Sequence, residues 1–146
     1  MNNIILTTLI YFITSFSLYA SSPNGKGIIC ECKSKKCEYK SGYLFSEKIV
    51  QNYFFSQLDD KINFEKGADT YYQRKANEIS WEKFEKHSLN RSNLSLKSVL
   101  KNKYVKAQTT LSQCDVFSKV DFYNEMEKLK SKYQIKFDKI LKKNKI

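Results

Sequence analysis

The stretch from Gly27 to Tyr39, GIICECKSKKCEY, brings Cys30, Cys32 and Cys37 close together, and the fourth cysteine of the chain is Cys114. Thiols so placed could bind a metal, exchange disulfides or cross-link the chain. Structural zinc usually takes Cys-x(2–4)-Cys pairs at both ends of its site, whereas the near group here reads C-x-C-x4-C and the far cysteine stands alone. The Cys-x-x-Cys of a redox site is absent. In an exported chain four cysteines are read first as two disulfides. A bond between Cys30 and Cys32 is disfavoured, because on a strand both side chains point to one face with poor sulfur geometry. The favoured pattern joins Cys32 to Cys37 across a four-residue KSKK hairpin loop, opposite one another in the ladder, and Cys30 to Cys114. The alternative, Cys30 to Cys37 with Cys32 to Cys114, stays open. Either long bridge would contribute about 4 kcal/mol by the chain-entropy model.

The remaining reactive residues are sparse. His87 is the only histidine, so there is no His pair for a metal and no H-E-x-x-H. In EKHSLNR it is expected to be an exposed or half-buried strand residue. A Ser-His-Asp triad assembles across space and stays open, but no G-x-S-x-G elbow is present. Asp59-Asp60 would face opposite sides of a strand or be solvated in a loop. NGKG at 24–27 lacks the spacing of a phosphate loop. The expectation is a protein that binds, without catalytic residue, metal or other cofactor. The alternatives are a lipid or small-molecule carrier with a cup lined by tyrosines and Trp81, and a small hydrolase using His87.

The elements that must position these residues begin with an export signal. Residues 1–20, MNNIILTTLIYFITSFSLYA, carry no charged side chain, and their apolar run ends at the small Ala20, as in a secretory signal peptide. Cleavage there would leave 126 residues, one domain by size. Residues 21–27, SSPNGKG, read as a flexible lead-in. The span 28–117 is broken into short runs of tyrosine, phenylalanine, isoleucine and valine, the texture of an antiparallel β domain. Ten strands are expected: 28–33, 38–45, 49–57, 61–65, 70–74, 78–83, 87–90, 95–100, 104–108 and 111–117. Tight links are expected at Ser46-Glu47, Asp59-Asp60, Lys66-Gly67-Ala68 and Arg91-Ser92-Asn93.

After Phe117 the period changes. Ser118 followed by Asp121 can cap a helix, and Phe122, Met126, Leu129, Tyr133, Phe137 and Ile140 recur every three or four residues. A basic amphipathic helix is expected over 118–143. The fold class is therefore mainly β with a C-terminal α-helix: a disulfide-stapled antiparallel meander or small barrel, with closure of the sheet left open.

The chain carries a formal net charge of +11. Residues 101–146 hold twelve lysines against five acids, a surplus of seven. Lys128, Lys132, Lys136, Lys139 and Lys143 lie off the apolar stripe and are the candidate binding residues, with Trp81 as a core or pocket aromatic. They suit an anionic lipid, an acidic envelope polymer or an acidic protein. Nucleic acid is the usual partner of a basic chain with interleaved aromatics, but export argues against it.

GYLF, TYY, ISW and LNRSNLSL, together with I-C-x-C near the start, Q-C-x-V-F at 113–117 and a lysine-rich end in KKNKI, make the chain resemble an uncharacterised group of small exported β-domain proteins from AT-rich bacterial genomes. The resemblance implies a β domain in the periplasm or outside the cell, and it carries no catalytic residue. A looser outline, from IIC through GADTYY and EISW to QCDVF, is similar to the membrane-bound lysozyme inhibitors, periplasmic β-barrels whose first strand is tied to their end by a disulfide. A basic chain would be repelled by a basic lysozyme, so charge sets it apart from that class.

Overall fold

The computed structural model describes residues 21–34, 37–102 and 105–144. The expected signal segment 1–20, Tyr104 of an expected strand and the Lys35-Lys36 pair between two of the cysteines lie outside the described residues.

Eight antiparallel strands follow one another around a closed barrel: β1 (Lys26–Cys32), β2 (Ser41–Phe45), β3 (Ile49–Leu58), β4 (Lys61–Arg74), β5 (Glu78–Glu82), β6 (Glu85–Asn90), β7 (Ser95–Asn102) and β8 (Val105–Ser118). Closure comes from β1, which pairs with β2 on one side and with β8 on the other, from Lys26 opposite Ser118 to Cys32 opposite Ser112. Each strand pairs with both of its neighbours around the barrel, but β2 meets β3 only at Val50–Tyr53 and β5 meets β4 only at Tyr72–Arg74, so the far part of the β3–β4 hairpin extends beyond its flanking strands. Among the described residues a single helix, α1 (Lys119–Asn144), follows β8 without a linker.

Period-two alternation divides the apolar residues into two cores. Ile28, Cys30, Tyr43, Phe45, Val50, Ile79, Trp81, Leu89, Leu96 and Cys114 fill the interior. Ile29, Leu44, Tyr53, Phe55 and Ile62 point outward and are covered by Phe122, Met126 and Leu129 of α1. β1 and β2 are thus buried on both faces, which is why Ile28-Ile29-Cys30 and Gly42 to Phe45 read as continuous apolar runs. The helix lies on the barrel. Its apolar stripe sets its position, and polar bonds hold its start and its middle. Ser118 Oγ accepts from the Asp121 amide at 3.1 Å and donates to the Asp121 carboxylate at 2.6 Å, a capping arrangement. Gln134 Oε1 accepts from the Ile62 amide at 2.7 Å while its Nε2 donates to the Asp60 carbonyl at 3.1 Å, so the helix holds the β3–β4 turn.

Two of the nine breaks between the ten expected strands are absent. The segments 61–65 and 70–74 belong to one strand, β4, and Lys66-Gly67-Ala68 is a β-bulge: the register passes from Gln51 opposite Asp69 to Tyr53 opposite Lys66, with one extra residue on β4. Likewise β8 runs through Thr109-Thr110, β-branched residues that suit a strand and carry no turn signal. Asp59 and Asp60 form the β3–β4 turn, both with positive φ (47° and 61°), as a two-residue type I′ hairpin requires. The Asn90 turn is held by its side-chain oxygen, which accepts from the amides of Ser92 and Asn93.

Close approach at the helix requires glycine at two places. A Cβ built on Gly27 would stand 2.4 Å from the Phe122 ring, and one on Gly42 would stand 2.9 Å from it. Gly27→Ala is expected to destabilise the protein by about 1–3 kcal/mol through overpacking, whereas Gly67→Ala, whose nearest neighbour would be 3.5 Å away, should change stability by less than about 1 kcal/mol. Urea unfolding midpoints of the two variants check this, and equal midpoints would contradict the close seating of Phe122.

Candidate functional site

The cysteines form two disulfides, Cys30–Cys114 and Cys32–Cys37. This is the favoured pattern of the two left open. Cys30 and Cys114 are direct cross-strand partners on the inner face, with Cα atoms 4.0 Å apart, and each is 1% exposed. Their bond joins the first strand to the last. Cys32 and Cys37 lie differently from the expectation of facing partners in the ladder. The β1–β2 pairing ends at Cys30 opposite Ser41, so this bond closes the connection beyond it. Sulfurs bonded in pairs offer no thiolate to a metal.

Trp81 is a core residue. Its indole stacks on the His87 ring, with centroids 5.0 Å apart, and meets Tyr43 and Phe45 edge-on. His87 corrects the expectation of an exposed or half-buried position: it points inward and is 8% exposed. Nδ1 lies 2.8 Å from Ser98 Oγ, and Nε2 lies 3.9 Å from Glu85. Burial lowers the His87 pKa from its ordinary value to about 4, and burial of the neighbouring Tyr43 hydroxyl raises its pKa to about 12. Once the register is known, the pairing follows from alternation. Leu89 and Leu96 are cross-strand partners in the core, and two residues along each strand the same inward face carries His87 and Ser98.

Glu85, His87 and Ser98 are the residue types of an acid–base–nucleophile relay, but their surroundings are structural. Ser98 is buried, and it sits mid-strand between His87 and Thr110, where backbone amides are committed to the ladders. An oxyanion hole needs free donors beside the nucleophile. The hydroxyl–imidazole bond satisfies two polar groups inside an apolar barrel.

The outer surface is polarised by charge. Residues 119–127 of α1 hold one lysine against three acids, whereas 128–143 hold seven lysines against Asp138 alone, a surplus of six. Lys128, Lys132, Lys136, Lys139 and Lys143 succeed one another at steps of four, four, three and four, so all five are exposed on one side of the helix over about 22 Å. Lys128 belongs with the acidic half through an ion pair to Glu125 at 3.4 Å, as Lys130 does through Glu127 at 3.6 Å. Lys132, Lys136, Lys139 and Lys143 form no ion pair among the described residues. The first three line a groove of about 580 Å³ between α1 and the Cys32–Cys37 connection, with Lys40 and Glu31 on the opposite wall. Lys40 meets Glu31 at 2.8 Å and holds its carboxyl below the usual range, with a smaller contribution from Lys132. Tyr133, whose hydroxyl accepts from the Lys40 amide at 3.2 Å, fixes that wall to the helix. The groove therefore combines a wall fixed to the helix with three lysines, Lys132, Lys136 and Lys139, that form no ion pair among the described residues, beside the carboxylates of Glu31 and Glu38.

Compared with known proteins, the chain matches no family model, no curated protein and no solved structure. Among the described residues no helix is long and apolar enough to cross a membrane, and no cluster of three or more His, Cys, Asp or Glu could hold a metal ion. The two disulfides fit an oxidising compartment.

Two measurements follow. The folded protein disfavours protonated His87, so the unfolded chain binds this proton more readily between the two pKa values. Stability from this group is complete above about pH 6.5 and falls as the pH drops towards 4, by on the order of 2–3 kcal/mol. His87→Gln should flatten that part of the pH profile of the urea midpoint, and an unchanged profile would assign the acid sensitivity elsewhere. Mild dithiol treatment of the native protein should open Cys32–Cys37, whose Cys37 is exposed, before the buried Cys30–Cys114. Alkylation and peptide mapping read the order, and simultaneous opening would contradict it.

Proposed function

We propose that the protein is an exported β-barrel of the periplasm or cell exterior that acts by binding, and that the basic half of α1 holds anionic material of the cell envelope. The observation that carries this reading is the row Lys132, Lys136, Lys139 and Lys143, exposed and without ion pairs among the described residues, on a helix locked to the barrel at Tyr133 and Gln134. Lysines at a helix C-terminus also complement its dipole, and that accounts for Lys142 and Lys143 in the last turn. It does not account for Lys132 and Lys136, two turns and more before the end, which face Lys40 across a groove. The four lysines of that groove, Lys40 included, outnumber its two carboxylates, Glu31 and Glu38, and an anionic partner would offset the excess.

Export is supported by the apolar first twenty residues and by disulfides that suit an oxidising compartment. Action by binding is supported by the buried, ladder-bound setting of His87 and Ser98. The partner class remains anionic lipid, envelope polymer or acidic protein, and its charge is the property the site selects.

Reversal of three lysines, Lys132→Glu, Lys136→Glu and Lys139→Glu together, tests the reading. Near an anionic surface each basic residue contributes about 1 kcal/mol, so affinity for phosphatidylglycerol vesicles or an acidic wall polymer should fall at least about tenfold. Binding of the native chain should also weaken with added salt. Circular dichroism establishes that the variant stays folded. Unchanged binding by a folded triple variant would remove the proposal.

A further inference from the structure

A second concavity lies at the opposite kind of surface, where the start of the chain crosses one end of the barrel. Residues 21–25 precede β1 and close over that end: the Gly25 amide donates to the Phe45 carbonyl at 2.8 Å, the Lys26 amide donates to the Pro23 carbonyl at 2.9 Å, and Pro23 is buried. Beneath this strap is a cavity of about 240 Å³. Its floor is the interior core itself, made by Ile28, Phe45, Ile79 and Leu89. Lys26 and Arg91 stand at its rim.

The two cations are placed differently from those on the helix. Arg91 donates to the carbonyls of Lys75 (3.3 Å), Ala76 (3.1 Å) and Ser21 (2.8 Å). These bonds fix the guanidinium between the β4–β5 turn and the strap while leaving its charge unneutralised. Neither Arg91 nor Lys26 forms an ion pair with a carboxylate among the described residues. An apolar floor with an unpaired cationic rim matches a ligand with a hydrocarbon tail and an anionic head. The volume lies just below the roughly 300–1,000 Å³ of drug-sized pockets, which suits one medium-length alkyl chain and excludes a two-chain phospholipid.

We infer that this end of the barrel is a binding site for a single-chain amphiphilic acid, with the alkyl tail on Ile28, Phe45, Ile79 and Leu89 and the carboxylate at Lys26 and Arg91. The site is separate from the lysine groove and does not depend on it.

The chain supplies its own reporter. Trp81 is the only tryptophan, and its ring meets Phe45 of the cavity floor at a centroid distance of 5.7 Å. The native protein would be titrated with decanoate below its micellar range, with decanol and decyltrimethylammonium as uncharged and cationic controls. A saturable change in Trp81 emission is expected with decanoate, at least about fivefold weaker with decanol and absent with the cation. Lys26→Glu, an exposed rim position, should weaken decanoate at least about fivefold with the urea midpoint unchanged. Val116→Phe, which narrows the rim from β8, should block it. The triple lysine reversal on α1 should leave it intact, so that failure here and failure of the envelope-binding reading are distinguishable. No response to decanoate, equal response to all three amphiphiles, or loss of response in the α1 variant would overturn the inference.

Discussion

The seam between β1 and β8 is the constraint on which the other features rest. β1 is shared by both neighbours in the ladder, buried on both faces and bonded covalently to β8 through Cys30–Cys114. A disulfide between residues 84 apart in sequence removes far more unfolded-chain entropy than one between residues five apart, about 4–5 against about 2 kcal/mol in the chain-entropy model. The two bonds therefore have different tasks. The first holds the barrel shut, and the second shapes one wall of a surface groove.

Closure also explains how a chain of this size keeps a long basic helix in place. A helix with six surplus positive charges over 128–143 would have little reason to stay ordered by itself. Here it buries Phe122, Met126 and Leu129, each worth about 2 kcal/mol on the usual area scale, against strands whose curvature is fixed by the seam. Gly27 and Gly42 let the Phe122 ring approach the backbone of β1 and β2 directly. The cations are consequently displayed on a support that does not need to reorganise when a partner arrives, which lowers the entropic cost of association.

Much of this organisation was legible in the sequence. Alternation and turn residues placed six of the eight strands, the Ser118/Asp121 pair marked the helix start, and C-x-C-x4-C with a distant Cys114 indicated the staples. What escaped had local signals that mimic something else. Lys66-Gly67-Ala68 has the composition of a turn and forms a bulge, because the partner strand β3 is long enough to keep pairing on both sides of it. His87 has the composition of a surface residue and is buried, because Ser98 on the neighbouring strand satisfies it, and cross-strand partners cannot be read until the register is known. The division of lysines into paired and unpaired sets, and the cavity under the strap, arise from contacts between distant segments and left no pattern in either segment alone.

The direct passage from Ser118 at the end of β8 to Lys119 at the start of α1 has a consequence of phase. With no linker to absorb rotation, the azimuth of every helical side chain is inherited from the last residues of a strand inside the barrel. One residue inserted at that junction would turn the helix by about 100°. Either the apolar stripe would leave its seat on β1–β4, or the junction would have to unwind to restore it. The direction in which the lysine row faces is therefore indexed to the barrel, and a change of length at this junction disturbs both at once.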